Sequence, residues 1–466
     1  MRLVGIAVTL LVASVTLSTS FFAPPVPAST KATTGAADGR QFTIAIIPDT
    51  QNEVTRESDD RFSDRTSWLR DNRSSLNLKY VLHTGDMMNW DTPDHAQYAK
   101  GSAAMAVLDD ASIPWAGAIG NHDTGATCTG GSACPGKSAR VTVRDTWTYN
   151  AYFPVSRFPG IEGLFEPGKV DNAWSTFSAG GADWLVLTLE LWPRPQVVDW
   201  AAQVVKDHPD DNVIVVTHSY LNQDAIIDGS NGGYGATSPQ YLYSKVVAPN
   251  PNVKLVFSGH VGIAGSRVDT RADSTRVASF LGTFHSNTTN PTQLITIDPA
   301  ADTVSTRFYA PANGQTWPQY ETTVTDMQWI RPGVPRPRTV GIRAIANDQI
   351  VTAELAGAYP LIANRPAIGP WETFTLRRLD GGNDVALFSA ANQQFVCADG
   401  SGSLPLIANR PSVGPWETFD LIDNGDGTVS FRSHANGLFV TAESAGRDPL
   451  VANRTAVGPW EKFVLS

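Results

Sequence analysis

Three cysteines in 466 residues, Cys128, Cys134 and Cys397, are too few for a disulfide framework or a cysteine-ligated zinc site to organise the fold. Basic residues are outnumbered, 35 against 45 acidic ones, and they form no block. A net charge of −10 without a basic stripe argues against nucleic acid or an anionic membrane as the main partner, although a small phosphorylated substrate stays open because a bound metal supplies local positive charge. No apolar run reaches the roughly 20 residues that a bilayer-crossing helix needs. Disorder is also excluded, since 42% of the residues are hydrophobic and 9% aromatic despite 39 glycines and 31 prolines. At roughly 100 to 200 residues per domain, the length allows two to four domains.

Arg2 precedes an apolar run from Leu3 to about Leu17, and Val26 and Ala28 put small residues where a signal peptidase reads. Residues 1–28 therefore read as a signal peptide, residues 29–40 as a linker, and the protein as secreted. In an oxidising compartment Cys128 and Cys134 are expected to form a disulfide, because the two glycines of Thr129 to Ala133 let their Cα atoms approach.

From residue 41 to 327 apolar runs alternate with helical patterns. Strands are expected at Phe42 to Ile47, Tyr80 to His83, Ala116 to Ile119, Trp184 to Leu189, Val213 to Thr217 and Lys254 to Phe257. Helices are expected over Arg61 to Asn72, His95 to Leu108 and Gln196 to Lys206. This βαβα alternation implies an α/β sheet covered by helices. Residues 328–337, which include Pro332, Pro335 and Pro337, suit a semi-rigid linker.

Beyond the linker, residues 338–466 repeat three times: LIANRPAIGPWETFTL from Leu361, LIANRPSVGPWETFDL from Leu406 and LVANRTAVGPWEKFVL from Leu450. Short-stranded units that cannot bury a core alone suit a closed three-lobed β-trefoil. The pattern resembles fascin-like β-trefoils, a likeness that implies either an actin bundler or a module attached to a secreted polysaccharide-active enzyme, and a secreted chain favours the second. Trp371, Trp416 and Trp460 recur identically and are expected to fill the core rather than stack on sugar.

Polar groups cluster where the first region's strands end: Pro48 to Gln51, Thr84 to Asp86 with Asn89, Gly120 to Asp123, Thr217 to Ser219, and Ser258 to His260. Each alone reads as a turn. In this order they resemble the calcineurin-like metallophosphoesterases, whose pattern runs DxH, GD, GNHD or GNHE, a lone His and GHxH. The resemblance implies a four-layer αββα sandwich holding one or two divalent ions (Mn, Zn, Fe or Mg). It makes Asp86 the bridging ligand, with Asn121, His218 and His260 on one ion and Asp49 with Gln51 on the other. His122 would serve the leaving group, with Asp123 fixing its ring. Two positions depart from the pattern, Gln51 in place of the first His and Gly262 in place of the last. His285 could replace the lost imidazole, but an ordinary hydrogen-bonded loop histidine is the expectation. Glu190 and Trp192 stay open as crevice-lining residues.

The reading is a secreted, metal-dependent phosphoester hydrolase, acting on a phosphorylated small molecule or polymer as a monoesterase or diesterase. A trefoil would target it, with a polysaccharide as that module's partner. The alternative is a non-catalytic binding protein on a degenerate metallophosphoesterase scaffold, against which His122 and Asp123 count.

Overall fold

The computed structural model describes residues 41–466 apart from Ala272, Asp380 and Gly381, so the signal-peptide reading of residues 1–28 and the 29–40 linker lie outside the described residues. No helix among the described residues is long and apolar enough to cross a membrane.

Two seven-stranded sheets stack to form the first domain. In the first, Phe42–Ile47, Leu78–His83 and Trp115–Gly117 run parallel, and Thr292–Asp298 joins antiparallel on the other side of Phe42–Ile47. In the second, Ala182–Leu189, Asn212–Thr217, Val253–Ser258 and Arg276–Gly282 are parallel neighbours. These central strands are buried along nearly their whole length, as strands covered on both faces must be. Ile44, Ile46 and Leu82 of one sheet meet Trp184, Val186, Val216 and Phe257 of the other in the central core.

Helices cover the outer faces. Arg61–Asp71 and Ala96–Asp110 pack on the first sheet through Phe62, Leu69, Met105 and Leu108. Pro195–Asp207 packs on the second sheet, and it starts on a proline whose missing N–H costs nothing at that position. Its Val197, Val198, Ala201, Val204 and Val205 form one apolar face at helical spacing. The layers are thus α, β, β, α, and the three helices fall within two residues of the sequence expectation.

Residues 338–466 form an all-β trefoil. The same pairing recurs in each lobe: Val351 opposite Ala363, Val396 opposite Ala408, and Val440 opposite Ala452, each beside an irregularity in register. Leu361, Leu406 and Leu450 meet Phe374, Phe419 and Phe463 in one shared core.

The tryptophans do not fill it. Trp371, Trp416 and Trp460 are only half-buried, and the phenylalanine three residues on takes the core position. The reason is the turn: Glu372, Glu417 and Glu461 bend back to accept the N–H of Gly369, Gly414 and Gly458 at 2.9, 2.8 and 2.7 Å, which leaves the preceding tryptophan at the rim.

The first domain also runs further than 327. Trp329 is 4% exposed and packs on Trp184, with ring centroids 5.1 Å apart. Ile330 exchanges two hydrogen bonds with the Asn212 side chain. The Pro-rich connection therefore starts at Arg331. The trefoil is docked rather than merely tethered, since Arg276 donates to the Pro411 carbonyl and Arg331 to that of Leu379.

Candidate metal centre

Parallel strands carry their C-terminal ends to one edge, and the loops leaving that edge converge. Asp49 follows Phe42–Ile47, Asp86 follows Leu78–His83, His218 follows Asn212–Thr217 and His260 follows Val253–Ser258. Asp49 and Asp86 are buried, and His218 is fully so. Two glycines make the approach possible. A Cβ on Gly120 would lie 2.1 Å from Asp86 Oδ1, and one on Gly259 would lie 2.1 Å from Asp49 Oδ1.

Asp86, His218 and His260 bring ligand atoms to within 4.8 Å of one another, and Asp49, Asp86 and His285 do the same. Asp86 belongs to both groups, as a bridging carboxylate would. His218 Nε2 lies 3.1 Å from Asp86 Oδ2, while its Nδ1 donates to the Thr84 carbonyl at 2.9 Å, which fixes the tautomer with Nε2 free to ligate. His260 Nδ1 lies 3.2 Å from that same His218 Nε2.

His285 corrects the expectation of an ordinary loop histidine. Its Nε2 is 3.0 Å from Asp49 Oδ2, where the imidazole lost at Gln51 and Gly262 is missing. Gly262 could not supply one without movement, because its backbone is left-handed (φ 68°) and a Cβ would come within 3.2 Å of Gln223. His285 arrives instead from the loop after Arg276–Gly282. Phe284, packed on Phe308 and Trp317 with centroids 4.9 Å away, anchors that loop, and Asn52 Nδ2 donates to the His285 carbonyl at 3.0 Å.

The remaining sequence candidates sit in the same loops. Gln51 and Asn121 each bury a side-chain oxygen with no hydrogen-bond partner. Orphaned buried oxygens are costly, and a divalent cation is the group that would satisfy them.

The electrostatics agree. Burial opposes charge on His218, yet Asp86 and Asp49 outweigh it and hold the imidazole up to about 10. Burial and the nearby His218 push His260 down to about 3. Burial also works against the Asp86 carboxylate, but His218 and His122 keep it well below the ordinary range. The site thus demands positive charge at its centre and already keeps His260 neutral, the form that ligates.

His122 donates its backbone N–H to Asp86 Oδ1 at 2.9 Å, and its ring Nδ1 faces the Asn89 carbonyl at 2.6 Å. Asp123 does not fix that ring. Its carboxylate accepts the N–H groups of Met88 and Gly120, both at 2.9 Å, and is fully buried. Burial and the neighbouring Asp86 push it up to about 7. Asp123 therefore ties two site loops together, and the orienting group for His122 is a backbone carbonyl that side-chain patterns do not display. Beside His122, Cys128 and Cys134 form a disulfide in the loop that continues from it.

Residues 42–263 match the family described as Calcineurin-like phosphoesterase. The uncharacterized protein YvnB of Bacillus subtilis (strain 168) is 31% identical over 211 residues, covering 45% of this chain; the chain spans 14% of that relative's length. A dimetal phosphatase from Danio rerio is similar at 14% identity and a TM-score of 0.38, covering 61% of this chain and 98% of that one. A Polyporus squamosus lectin is similar over 28% of this chain and 49% of its own, at 13% identity and a TM-score of 0.26. Calcineurin-like phosphoesterases use divalent metals, and Asp49, Asp86, His218, His260 and His285 form the candidate dimetal site here.

Proposed function

We propose that the first domain hydrolyses phosphate esters, monoester or diester, of a small molecule or a polymer. The observation that carries this is the Asp86 carboxylate shared by two convergent ligand groups. Divalent cations held there would polarise a phosphoryl oxygen and activate water. The chain's own contribution at the leaving group is His122. With Nδ1 committed to the Asn89 carbonyl, Nε2 is the nitrogen left to carry a proton. His285 on Asp49 counts against the degenerate-scaffold alternative, because the position that lost its imidazole has one from elsewhere in the chain.

The test is elemental analysis of purified protein, with hydrolysis of an aryl phosphate monoester and diester under added Mn, Zn, Ca or none. His122→Ala is expected to keep its metal while turnover of a substrate with a poor leaving group falls by about a hundredfold to ten-thousandfold. A wild type that turns over neither ester with any metal overturns the proposal in favour of a binding scaffold.

The same proposal includes export, supported by the Cys128–Cys134 disulfide, which belongs to an oxidising compartment. It also includes glycan binding by the trefoil. Each lobe offers a carboxylate and a guanidinium at its surface: Glu354 with Arg365, Asp399 with Arg410, and Glu443 with Arg454. Planar polar groups of this kind suit sugar hydroxyls. Sequencing the N-terminus of exported protein, and retention of the full chain on insoluble polysaccharide, test the two parts.

A further inference from the structure

Trp192 follows Ala182–Leu189 on the same edge as the metal ligands and holds a backbone conformation that a bulky side chain seldom adopts. Its φ is 43°, and Pro193 after it restricts the backbone further. Such a conformation persists only where the surroundings impose it. Here they do. Arg144 donates to the carbonyls of Leu191 and Trp192 at 2.8 and 2.6 Å, and the Thr237 hydroxyl donates to that of Pro193 at 2.6 Å. Glu190, instead of lining the crevice, locks the turn from behind. It accepts from Arg194 Nε at 2.9 Å and from Asn172 Nδ2 at 3.1 Å, and pairs with Arg144 at 3.4 Å.

That scaffolding delivers one contact to the centre. The indole is 4% exposed and stands perpendicular to the His260 ring, with centroids 5.3 Å apart. Gly235 leaves the room, since a Cβ there would lie 2.2 Å from Trp192 Cβ, and Tyr234 packs on the indole with ring centroids 5.6 Å apart. His260 is itself left-handed (φ 77°), and among the described residues its ring has no carbonyl partner like the one that orients His218. Among the described residues its one ring hydrogen-bond contact is His218 Nε2, an atom that would itself ligate.

We propose that Trp192 is the positioning residue for His260, holding by packing the ring orientation that His218 holds by a hydrogen bond. This rests on reading His260 as a cation ligand. Groups that orient a ligand typically change metal affinity by 10- to 100-fold when removed.

The experiment uses the full chain titrated with Co2+, read by calorimetry and by the visible absorption of the bound ion, with thermal unfolding recorded for each variant. Trp192→Leu is expected to weaken one of the two bound ions by about 10- to 100-fold and to shift its band, leaving the ion at Asp49 and His285 unchanged. Trp192→Phe should return the affinity to within about threefold, because a ring is restored. Arg144→Met frees the backbone clamp with the indole still present and should weaken the same ion.

A folded Trp192→Leu protein with wild-type affinity and band overturns the proposal. If that variant does not fold, an Arg144→Met protein with unchanged cobalt binding overturns it equally. These readouts are separate from hydrolysis. A wild type that binds cobalt but cleaves no ester sinks the phosphoesterase reading and still decides the role of Trp192, and one that binds no cobalt removes both.

Discussion

The two domains place their charged residues in opposite ways. In the trefoil each lobe's carboxylate has its arginine, at 2.9 Å for Glu354 and Arg365, 3.0 Å for Asp399 and Arg410, and 3.0 Å for Glu443 and Arg454. In the first domain Asp49 and Asp86 turn inward onto imidazoles, with no arginine or lysine among the described residues paired to either. Asp86, His260 and His285 stand in left-handed backbone, and in the loops beside them the amide oxygens of Gln51 and Asn121 are buried without a hydrogen-bond partner among the described residues. Paired charge repeats with the lobes, whereas buried carboxylates without a lysine or arginine partner, held in strained backbone, mark where a cation is to bind.

The hardest blow to that contrast falls on Asp86. Asp86→Asn keeps the shape but removes the one carboxylate of the Asp86, His218 and His260 group and one of the two in the Asp49, Asp86 and His285 group. It is expected to lose both ions and to lower phosphoester turnover by at least about a thousandfold. His285→Ala should lose one ion of two. Elemental analysis and rates on an aryl phosphate check both, and an Asp86→Asn protein that still holds two ions would remove the distinction between the domains. Stability in the trefoil is the counterpart. Phe419→Ala opens the shared core and should lower the stability of the trefoil transition by about 3–5 kcal/mol. The half-buried Trp416→Ala should cost less than half of that, and calorimetry that ranks them the other way would return the tryptophans to the core.

How much of this was legible follows the same division. The trefoil could be read because three copies vote on each position, and the layer order of the first domain because apolar runs alternate with helical faces. Asp49, Asp86, His218 and His260 were legible because each directly follows a strand. His285 also follows one, but no local pattern states that Arg276–Gly282 runs parallel to Val253–Ser258 and so ends at the same edge. The orienting role of the Asn89 carbonyl was invisible, since every residue has a carbonyl. Trp371, Trp416 and Trp460 misled because recurrence marks a structural position without saying how deep it lies. The domain end misled because Trp329 sits three residues ahead of the first linker proline, Pro332, yet packs on Trp184. A chain ending at Met327 should therefore be less stable than one ending at Pro337, by roughly the 3 kcal/mol or more that removing a buried tryptophan costs, as denaturant titration of the two would show.

The last effect lies where the two domains meet, and it asks whether an unpaired charge can also be structural. Lys254 is 1% exposed, and its ammonium donates to the Met327 carbonyl at 3.2 Å rather than to a carboxylate. Burial, then Arg271, push it down, with Asp302 and Asp273 only partly opposing and Arg377 of the trefoil adding to the fall, so that it settles at about 7. The unfolded chain keeps the ordinary value of 10.5. Between those two values the unfolded chain binds a proton that the folded chain does not, so raising the pH through this window stabilises the fold, by up to about 1.4 kcal/mol per pH unit. Below about 7 both states bind the proton and the contribution is flat. Lys254→Met removes the slope without removing the packing. Wild-type stability minus that of Lys254→Met should accordingly stay level up to about pH 7 and climb from there towards about pH 10. A difference that is level throughout would mean that the amine is solvated or paired in solution, and that unpaired buried charge in this protein is confined to the metal centre.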